Sequence, residues 1–214
     1  MKKTFTLFIL ISVCSLSSFA QISKGSVLLG GDLSAYTLSQ DMVAGTEYKT
    51  KSVMFTPLIG LATKQNLIQG VYLQLGFSKI NNNTTPGETK TTNLGTGYFI
   101  RKYSVIKNNF YGFLQGNAGV NYYKITTNAP YDGKSTGTTI GLDVSPGLSY
   151  KVSKKLHIEA GLRQLASLAY RRTKNVSNDP TITILKSDEI SLSSSLNNFG
   201  SNLYFGFRLL LDKK

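Results

Sequence analysis

Apolar and polar residues alternate with a period of two along most of the chain, and helical periodicity is almost absent. The clearest stretch runs from about 137 to 152, where Thr138, Ile140 and Leu142 alternate with small or polar residues. Successive side chains of a β-strand point to opposite faces of a sheet, so this pattern is typical of a strand with one apolar and one polar face. Eight such segments occur, at about 26–35, 50–62, 67–80, 91–103, 109–125, 137–152, 156–171 and 199–211.

The length of the segments and the composition of their two faces indicate a membrane protein. Most of the segments have about 10 to 16 residues, more than the usual strand of about 5 or 6, and this is the length that a tilted strand needs to cross a bilayer. The polar face is rich in Gly, Ser, Asn and Gln, and the apolar face carries almost no charge. We therefore predict an all-β, eight-stranded, antiparallel up-and-down transmembrane β-barrel with its apolar face outward. A soluble, calycin-like binding barrel with the faces reversed is the alternative.

The links between segments alternate in length, which predicts the orientation of the barrel. Short links at 63–66, 104–109 and 153–155 alternate with longer ones at about 39–49, 81–91, 126–136 and 172–198. Outer-membrane barrels have short periplasmic turns and longer extracellular loops, so both termini are expected in the periplasm. Aromatic residues of the apolar face then form an outer and an inner belt, namely Phe55, Phe77, Tyr122, Tyr170 and Phe199, and Phe110 and Tyr150.

The first 20 residues have the pattern of a signal peptide. Lys2 and Lys3 precede an apolar run from 5 to 13, and Ser18 and Ala20 supply the small residues that a cleavage site needs. We expect residues 1–20 to be removed and 21–214 to form the barrel domain. Beyond this segment there is no stretch of roughly 18 apolar residues, so no transmembrane helix is predicted.

Charge and residue counts narrow the chemistry. The 24 Lys and Arg against 11 Asp and Glu give a net charge of +13, which favours anionic partners, but an exported protein meets no cytoplasmic nucleic acid. The expected partners are outer-membrane lipid and lipopolysaccharide. One Cys, inside the predicted signal peptide, and one His argue against a disulfide framework or a zinc site, so no metal and no cofactor are predicted.

Basic residues near the predicted outer ends of the strands are candidates for contact with lipopolysaccharide phosphates. The alternative is a rim of solvated charges without a specific ligand. These outer-rim residues are Lys49, Lys51, Lys90, Lys134, Arg171, Arg172 and Lys174.

Charges on the polar face predict a polar network inside the barrel. Eight strands leave an interior just wide enough for side chains to fill it, so we expect a plugged lumen held by paired charges. A turn near 154 is expected to bring Asp143 almost opposite Arg163. A narrow or gated pore is the alternative. The predicted network comprises Asp32, Arg101, Asp143, His157, Glu159, Arg163 and Arg208.

His157 is the only candidate for His-based catalysis. Some eight-stranded barrels are lipid A acyltransferases or deacylases, whose chemistry needs a His with a Ser and a carboxylate near the outer leaflet. His157 follows the short link at 153–155, which places it at the periplasmic end. We therefore predict no catalytic site and no enzyme activity, with a lipid A-modifying enzyme as the less favoured alternative.

The last outer link, 172–198, contains two further alternating stretches. They lie at 181–185 and 190–193, on either side of an acidic sequence at 187–189. The pattern predicts a hairpin that continues the last two strands above the membrane, with 187–189 at its tip. An exposed strand edge of this kind can recruit a partner strand, and a merely extended barrel rim is the alternative.

With these segments in place, the chain from residue 21 onward resembles the eight-stranded outer-membrane barrels of the OmpA/OmpX type, and most of all the small PorT-like outer-membrane barrels of Bacteroidota. Its last strand also resembles the signal that the barrel assembly machinery reads, with Tyr204, Gly206, Leu209 and Leu211, although 212–214 replaces the family's terminal Phe. The resemblance implies location in a Gram-negative outer membrane, the assembly machinery as a partner, and a non-enzymatic structural or surface-interaction role. A secretion-system accessory role is implied as an alternative.

Overall fold

The computed structural model describes residues 22–42, 46–82, 87–128, 133–177, 185–194 and 202–211. The predicted signal peptide and Phe199 lie outside these residues. The described chain is almost entirely β-structure. Its strands are β1 (Val27–Met42), β2 (Thr46–Lys64), β3 (Leu67–Asn82), β4 (Gly87–Lys107), β5 (Phe110–Asn128), β6 (Gly133–Lys151), β7 (Leu156–Leu162), β8 (Ala166–Ser177), β9 (Leu185–Ser194) and β10 (Leu203–Leu211).

The strands form one antiparallel sheet that closes on itself. Strands β1 to β6 pair consecutively, β6 pairs with β7, β7 with β10, and β10 with β1. This circuit confirms the predicted all-β, antiparallel, up-and-down barrel. The closed ring contains eight strands, β1 to β7 and β10, and the described residues contain ten strands in all because β8 and β9 are additional to the predicted eight.

One extra strand arises because the predicted seventh segment is interrupted. Strand β7 pairs with β6 at Gly147–Lys151, and β8 pairs with β6 at Gly133–Val144. Between the two pairings the chain holds two more residues than β6, as in a β-bulge. Gln164 lies there with a φ of 53°, and its backbone N–H donates a 3.1 Å hydrogen bond to Ser145. Two extra residues leave the period-two alternation in phase, so the sequence pattern does not reveal this interruption.

The other extra strand, β9, comes from the last outer link. It pairs with β8 from Ala166 opposite Ser194 to Asn175 opposite Leu185. This confirms a hairpin formed with the last outer link, but the predicted tip is wrong, because residues 187–189 lie within β9. Residues 181–184 lie outside the described chain. On the other edge of β9, none of the described strands is paired.

The short links are confirmed, and strands β1 to β6 are longer than predicted. Two-residue turns at 65–66 and 108–109 contain Asn66 and Asn108 at φ of 57° and 42°, a conformation that Asn tolerates better than most residues. The third short link spans residues 152–155. At the opposite end, pairing continues well beyond the predicted limits, and β4 reaches 21 residues. We call the two ends of the barrel the turn end and the rim end.

The pairing register determines the tilt of the strands. A row of paired residues that starts at Leu148 on β6 and passes once around the ring returns to β6 at Thr138, ten residues away. With strand and residue spacings of about 4.8 and 3.3 Å, this stagger corresponds to a tilt of about 40°. That tilt is typical of membrane barrels.

The apolar face of the barrel points outward, as predicted. Leu73, Leu94 and Leu142 each expose more than half of their surface, at 52%, 55% and 56%, and they belong to a belt of similar side chains on all sides. The buried residues lie inside, on the opposite face of the same strands. A soluble barrel with its apolar face inward is therefore excluded. In the described residues there is no helix long and apolar enough to span a membrane.

Candidate functional site: the lumenal charge cluster and the outer rim

Two arginines meet at the turn end of the lumen. Arg101 comes from β4 and Arg208 from β10, strands that are four positions apart in either direction around the ring. Both side chains have no solvent-exposed surface. Because each lies on the inward face of its strand, the two guanidinium groups reach toward each other across the barrel.

Glu159 on β7 joins the two arginines. Its Oε2 accepts a 2.7 Å hydrogen bond from Arg101 Nη1 and lies 3.1 Å from Arg208 Nε. Arg208 also pairs with Asp32 on β1 and donates a 2.8 Å hydrogen bond to the carbonyl of Gly31. Two cations and two carboxylates balance in charge, which is a requirement for burying charged groups at tolerable cost.

The network continues from the cluster into the wider part of the lumen. Arg101 Nε donates to Gln115 at 2.6 Å, Gln115 donates to Asn117 at 2.7 Å, and Asn117 donates to Asp143 at 2.7 Å. Ser145 also donates to Asp143. Side chains from six strands are thus joined by ion pairs and hydrogen bonds.

Aromatic side chains fill the space around the ions. The Tyr103 hydroxyl donates a 2.7 Å hydrogen bond to Glu159 Oε1, and the Arg101 guanidinium lies 4.4 Å from the ring centre of Phe113. Phe99 and Tyr111 are buried beside them. At the turn end, Ile22 is buried, and its backbone N–H donates a 2.8 Å hydrogen bond to Asn66. Ion pairs, aromatic rings and Ile22 together fill the turn end of the lumen.

Most of the predicted network is found, with one error. Asp32, Arg101, Glu159 and Arg208 form the cluster, and His157 lies beside it. The predicted pairing of Asp143 with Arg163 is wrong, because the bulge between β7 and β8 places Asp143 opposite Ser167. Arg163 instead donates a 3.0 Å hydrogen bond from Nη1 to Thr56 and lies over the ring of Tyr204 at 5.1 Å.

His157 lies at the turn end, as predicted, and it is buried. Its Nδ1 is 3.2 Å from the Ser149 hydroxyl, and its ring lies 5.5 Å from that of Tyr111. Among the described residues, no hydrogen bond joins this ring to a carboxylate. The described residues contain no group of three or more His, Cys, Asp or Glu that could hold a metal ion.

Sequence reasoning missed two members of the cluster, Tyr103 and Gln115. Both are buried and hydrogen-bonded to charged partners. A signal for them was present, because Tyr103 follows Arg101 by two residues on the polar face of β4, and Gln115 is the register partner of Arg101. Pairing register therefore identifies lumen residues that composition alone does not.

Above the cluster the lumen widens into a polar chamber. It has a volume of about 440 Å³, and Asp143, Asn121 and Arg171 are among its lining residues. Arg171, one of the predicted outer-rim residues, lies on the inward face of β8, where its side chain lines this chamber and lies 6.0 Å from the ring centre of Tyr123. The remaining predicted rim residues share the outward face of their strands, namely Lys49, Lys51, Lys90, Lys134, Arg172 and Lys174.

The outer rim contains an ion-pair group that sequence reasoning did not recognise. Glu88 lies between Lys79 and Lys90, whose ammonium groups are 2.7 and 2.8 Å from its two carboxylate oxygens. Hydrogen bonds from Lys79 and then Lys90 hold the pKa of the Glu88 carboxyl below its ordinary value. This carboxylate is therefore ionised at neutral pH.

The residues of the predicted assembly signal lie on both faces of β10. Tyr204 and Gly206 are buried on the inner face of β10, whereas Leu209 and Leu211 point outward. Of the four signal residues, only the two leucines lie on the lipid-facing surface, and Tyr204 packs inside the lumen. Residues 212–214 lie outside the described chain.

A closed antiparallel barrel with an apolar exterior and a polar, charge-paired interior defines a β-barrel protein of the Gram-negative outer membrane. The model of the family described as outer membrane protein beta-barrel domain matches residues 6–208, and the chain belongs to this family. A comparison with curated protein sequences finds no match.

Solved structures that are similar to this chain include the following three. Neisserial surface protein A is 18% identical with a TM-score of 0.41, and the match covers 89% of this chain and 99% of that one. OprG from Pseudomonas aeruginosa is 13% identical with a TM-score of 0.45 and coverages of 89% and 98%. The translocator domain of the autotransporter NalP from Neisseria meningitidis is 12% identical with a TM-score of 0.41 and coverages of 99% and 95%.

Proposed function

We propose that this protein is a closed-lumen outer-membrane barrel with a non-enzymatic, structural or surface-interaction role exerted from its rim end. The observation that carries the proposal is the Arg101–Glu159–Arg208–Asp32 cluster, which spans the lumen between opposite strands. Opening a path past it requires separation of buried charges, which is energetically costly. The proposal therefore excludes transport past this cluster.

Conductance in planar lipid bilayers tests the closed lumen. We expect no discrete current steps from the purified, folded protein, with a known porin as the positive control for insertion. Glu159→Gln, which leaves two buried arginines against one carboxylate, is the variant most expected to loosen the lumen. Regular current steps from the unmodified protein would favour the alternative of a small gated pore.

The non-enzymatic part of the proposal rests on His157. Its ring is buried at the turn end, whereas lipid A lies in the outer leaflet at the rim end. We expect the mass spectrum of lipid A to be the same in cells that express the unmodified protein or His157→Asn and in cells that carry an empty vector. A mass change that depends on His157 would overturn this part.

The hairpin of β8 and β9 is the element best suited to contact a protein partner. Ile190 and Leu192 on β9 expose 78% and 82% of their surface, and β8 is the only described strand that pairs with β9. An unpaired strand edge with apolar side chains favours strand addition. A β9 that only extends the rim is the alternative.

Labelling of intact cells tests whether this hairpin is at the cell surface. A Cys at Ser187 on β9 should react with a membrane-impermeant maleimide, whereas a Cys at Ser153 in a short turn should react only after lysis. The opposite pattern would mean that the turn end faces outward.

The narrower resemblance to PorT-like secretion accessories remains a prediction, and the secretome of a deletion strain tests it.

A further inference from the structure

Three outward-facing lysines lie side by side at the rim end. Lys51 on β2 is the register partner of Lys79 on β3, and Lys79 is the register partner of Lys90 on β4. Like charges directly opposite each other on neighbouring strands destabilise a sheet. A row of three therefore needs compensating negative charge.

Within the described residues, the protein supplies only part of that charge. Glu88 pairs with Lys79 and Lys90, and no ion pair involves Lys51 among the described residues. Three cations and one carboxylate leave a net charge of +2. Lys124, the register partner of Thr92 on the neighbouring strand, adds a further cation on the same face.

The three lysines border a groove with an apolar floor. The groove has a volume of about 530 Å³, and Val53, Phe77 and Thr92 form one row of paired residues on its floor, with Lys51, Lys79 and Lys90 in the next row toward the rim. Phe77 exposes 62% of its surface. Cations thus lie directly above side chains that belong to the lipid-facing belt.

We propose that the groove of Lys51, Lys79 and Lys90 binds a phosphate of a phosphorylated glycolipid of the outer leaflet, of the lipid A type, and that its floor contacts the attached acyl chain. The three lysines pair with the negative charge of the phosphate, and Val53 and Phe77 contact an apolar acyl chain. A free phosphate ion has no acyl chain and would leave this floor unused. This site deepens the proposed function, because it rests on the rim end facing the outer leaflet.

Titration of the folded protein in detergent micelles with bisphosphorylated lipid A, followed by native mass spectrometry, tests the site. The triple variant Lys51→Gln/Lys79→Gln/Lys90→Gln should bind at least about tenfold more weakly, since each lysine near an anionic lipid contributes about 1 kcal/mol. The matched control Lys102→Gln/Lys107→Gln/Lys154→Gln removes three exposed charges at the turn end and should bind like the unmodified protein. The triple variant Lys51→Arg/Lys79→Arg/Lys90→Arg should retain binding.

Two further probes separate the lipid from other anions. Dephosphorylated lipid A should bind the unmodified protein as weakly as bisphosphorylated lipid A binds the triple Gln variant, and millimolar inorganic phosphate should not compete. Equal binding of phosphorylated and dephosphorylated lipid A would overturn the phosphate site. Full competition by inorganic phosphate would overturn the assignment of the ligand as a lipid. Heat-modifiable gel migration verifies that each variant is folded. The conductance and labelling experiments do not depend on these lysines, so failure of the site and failure of the proposed function are distinguishable.

Discussion

Glu159 lies between two arginines that originate on opposite sides of the barrel, and its carboxylate is in contact with both. The hydroxyl of Tyr103 donates to the same carboxylate. In a buried cluster, the loss of one partner leaves an uncompensated charge, which costs more than the intact pair contributes. The cluster is therefore expected to respond to substitution as a unit.

Substitution of Glu159 tests this coupling. Glu159→Met leaves Arg101 and Arg208 with Asp32 alone and should lower the free energy of unfolding by about 3 to 5 kcal/mol. Arg101→Met/Glu159→Met leaves the balanced Arg208–Asp32 pair and should recover part of the loss. Urea titration in lipid vesicles, with the folded fraction read from gel migration, measures both. The exposed rim variant Glu189→Gln is the control and should change stability little; equal effects of all variants would contradict the cluster's role.

The pH response of Glu88 is a second prediction at this scale. Its folded-state pKa is lowered by hydrogen bonds from Lys79 and Lys90, so the stabilisation is present above the ordinary carboxyl pKa and is lost as the pH falls through the lowered value. Carboxyl NMR of the folded protein should show Glu88 titrating below its ordinary range. Lys79→Gln should move this pKa upward, whereas Lys102→Gln at the turn end should not. An unchanged titration in Lys79→Gln would exclude the proposed pairing.

At the scale of the strands, glycines on the inner face make room for aromatic rings. A Cβ at Gly161 on β7 would lie 2.6 Å from the Tyr204 hydroxyl and 2.7 Å from its Cε1. Its register partner Gly147 lies in the same way beneath the ring of Phe113. The alternation of glycine with apolar residues thus reflects ring packing inside the barrel as well as strand pairing.

Gly161→Val tests this packing. The added side chain overlaps the Tyr204 ring and should lower the free energy of unfolding by about 1 to 3 kcal/mol, as overpacking does in other cores. Ala160→Val adds bulk at the neighbouring outward position and is expected to have little effect. Urea titration in vesicles compares the two. Equal stabilities would show that Tyr204 does not need the space above Gly161.

The strand pattern was predictable from the sequence to a limited depth. Alternation located the paired segments and their apolar faces correctly because the side-chain period of a strand is two. It did not reveal the interruption at 163–165, since two extra residues preserve that period. It also placed the tip of the last hairpin at 187–189, because polarity alone does not distinguish a turn from an exposed strand.

At the scale of the whole molecule, closure of the barrel depends on pairing between the first and last strands. Strand β1 pairs with β10 from Val27 opposite Leu211 to Leu33 opposite Phe205. These segments are far apart in sequence, so their pairing joins the two ends of the described chain. Closure leaves no unpaired edge around the lower part of the barrel, as the bilayer requires.

A disulfide across this seam tests closure. Leu29 and Leu209 are register partners, and Cα atoms of such pairs lie about 4.5 to 5.5 Å apart, within the range of a disulfide. Leu29→Cys/Leu209→Cys should therefore cross-link in an oxidising periplasm, and the denatured chain should migrate faster on a non-reducing gel. Leu29→Cys/Phe205→Cys, with the second Cys four residues away, should not cross-link. Equal behaviour of the two pairs would contradict the register.

The sequence by itself determined that this chain forms a membrane barrel, which face meets lipid, and which charges lie in the lumen, because strand periodicity and the cost of charges in lipid are local properties. Only the tertiary structure decided which of these charges meet. Closure of the ring brings Arg101, Glu159 and Arg208 together, and the register of β2, β3 and β4 aligns Lys51 with Lys79 and Lys90. Register and strand closure are collective properties of all the pairings, so no single segment encodes them.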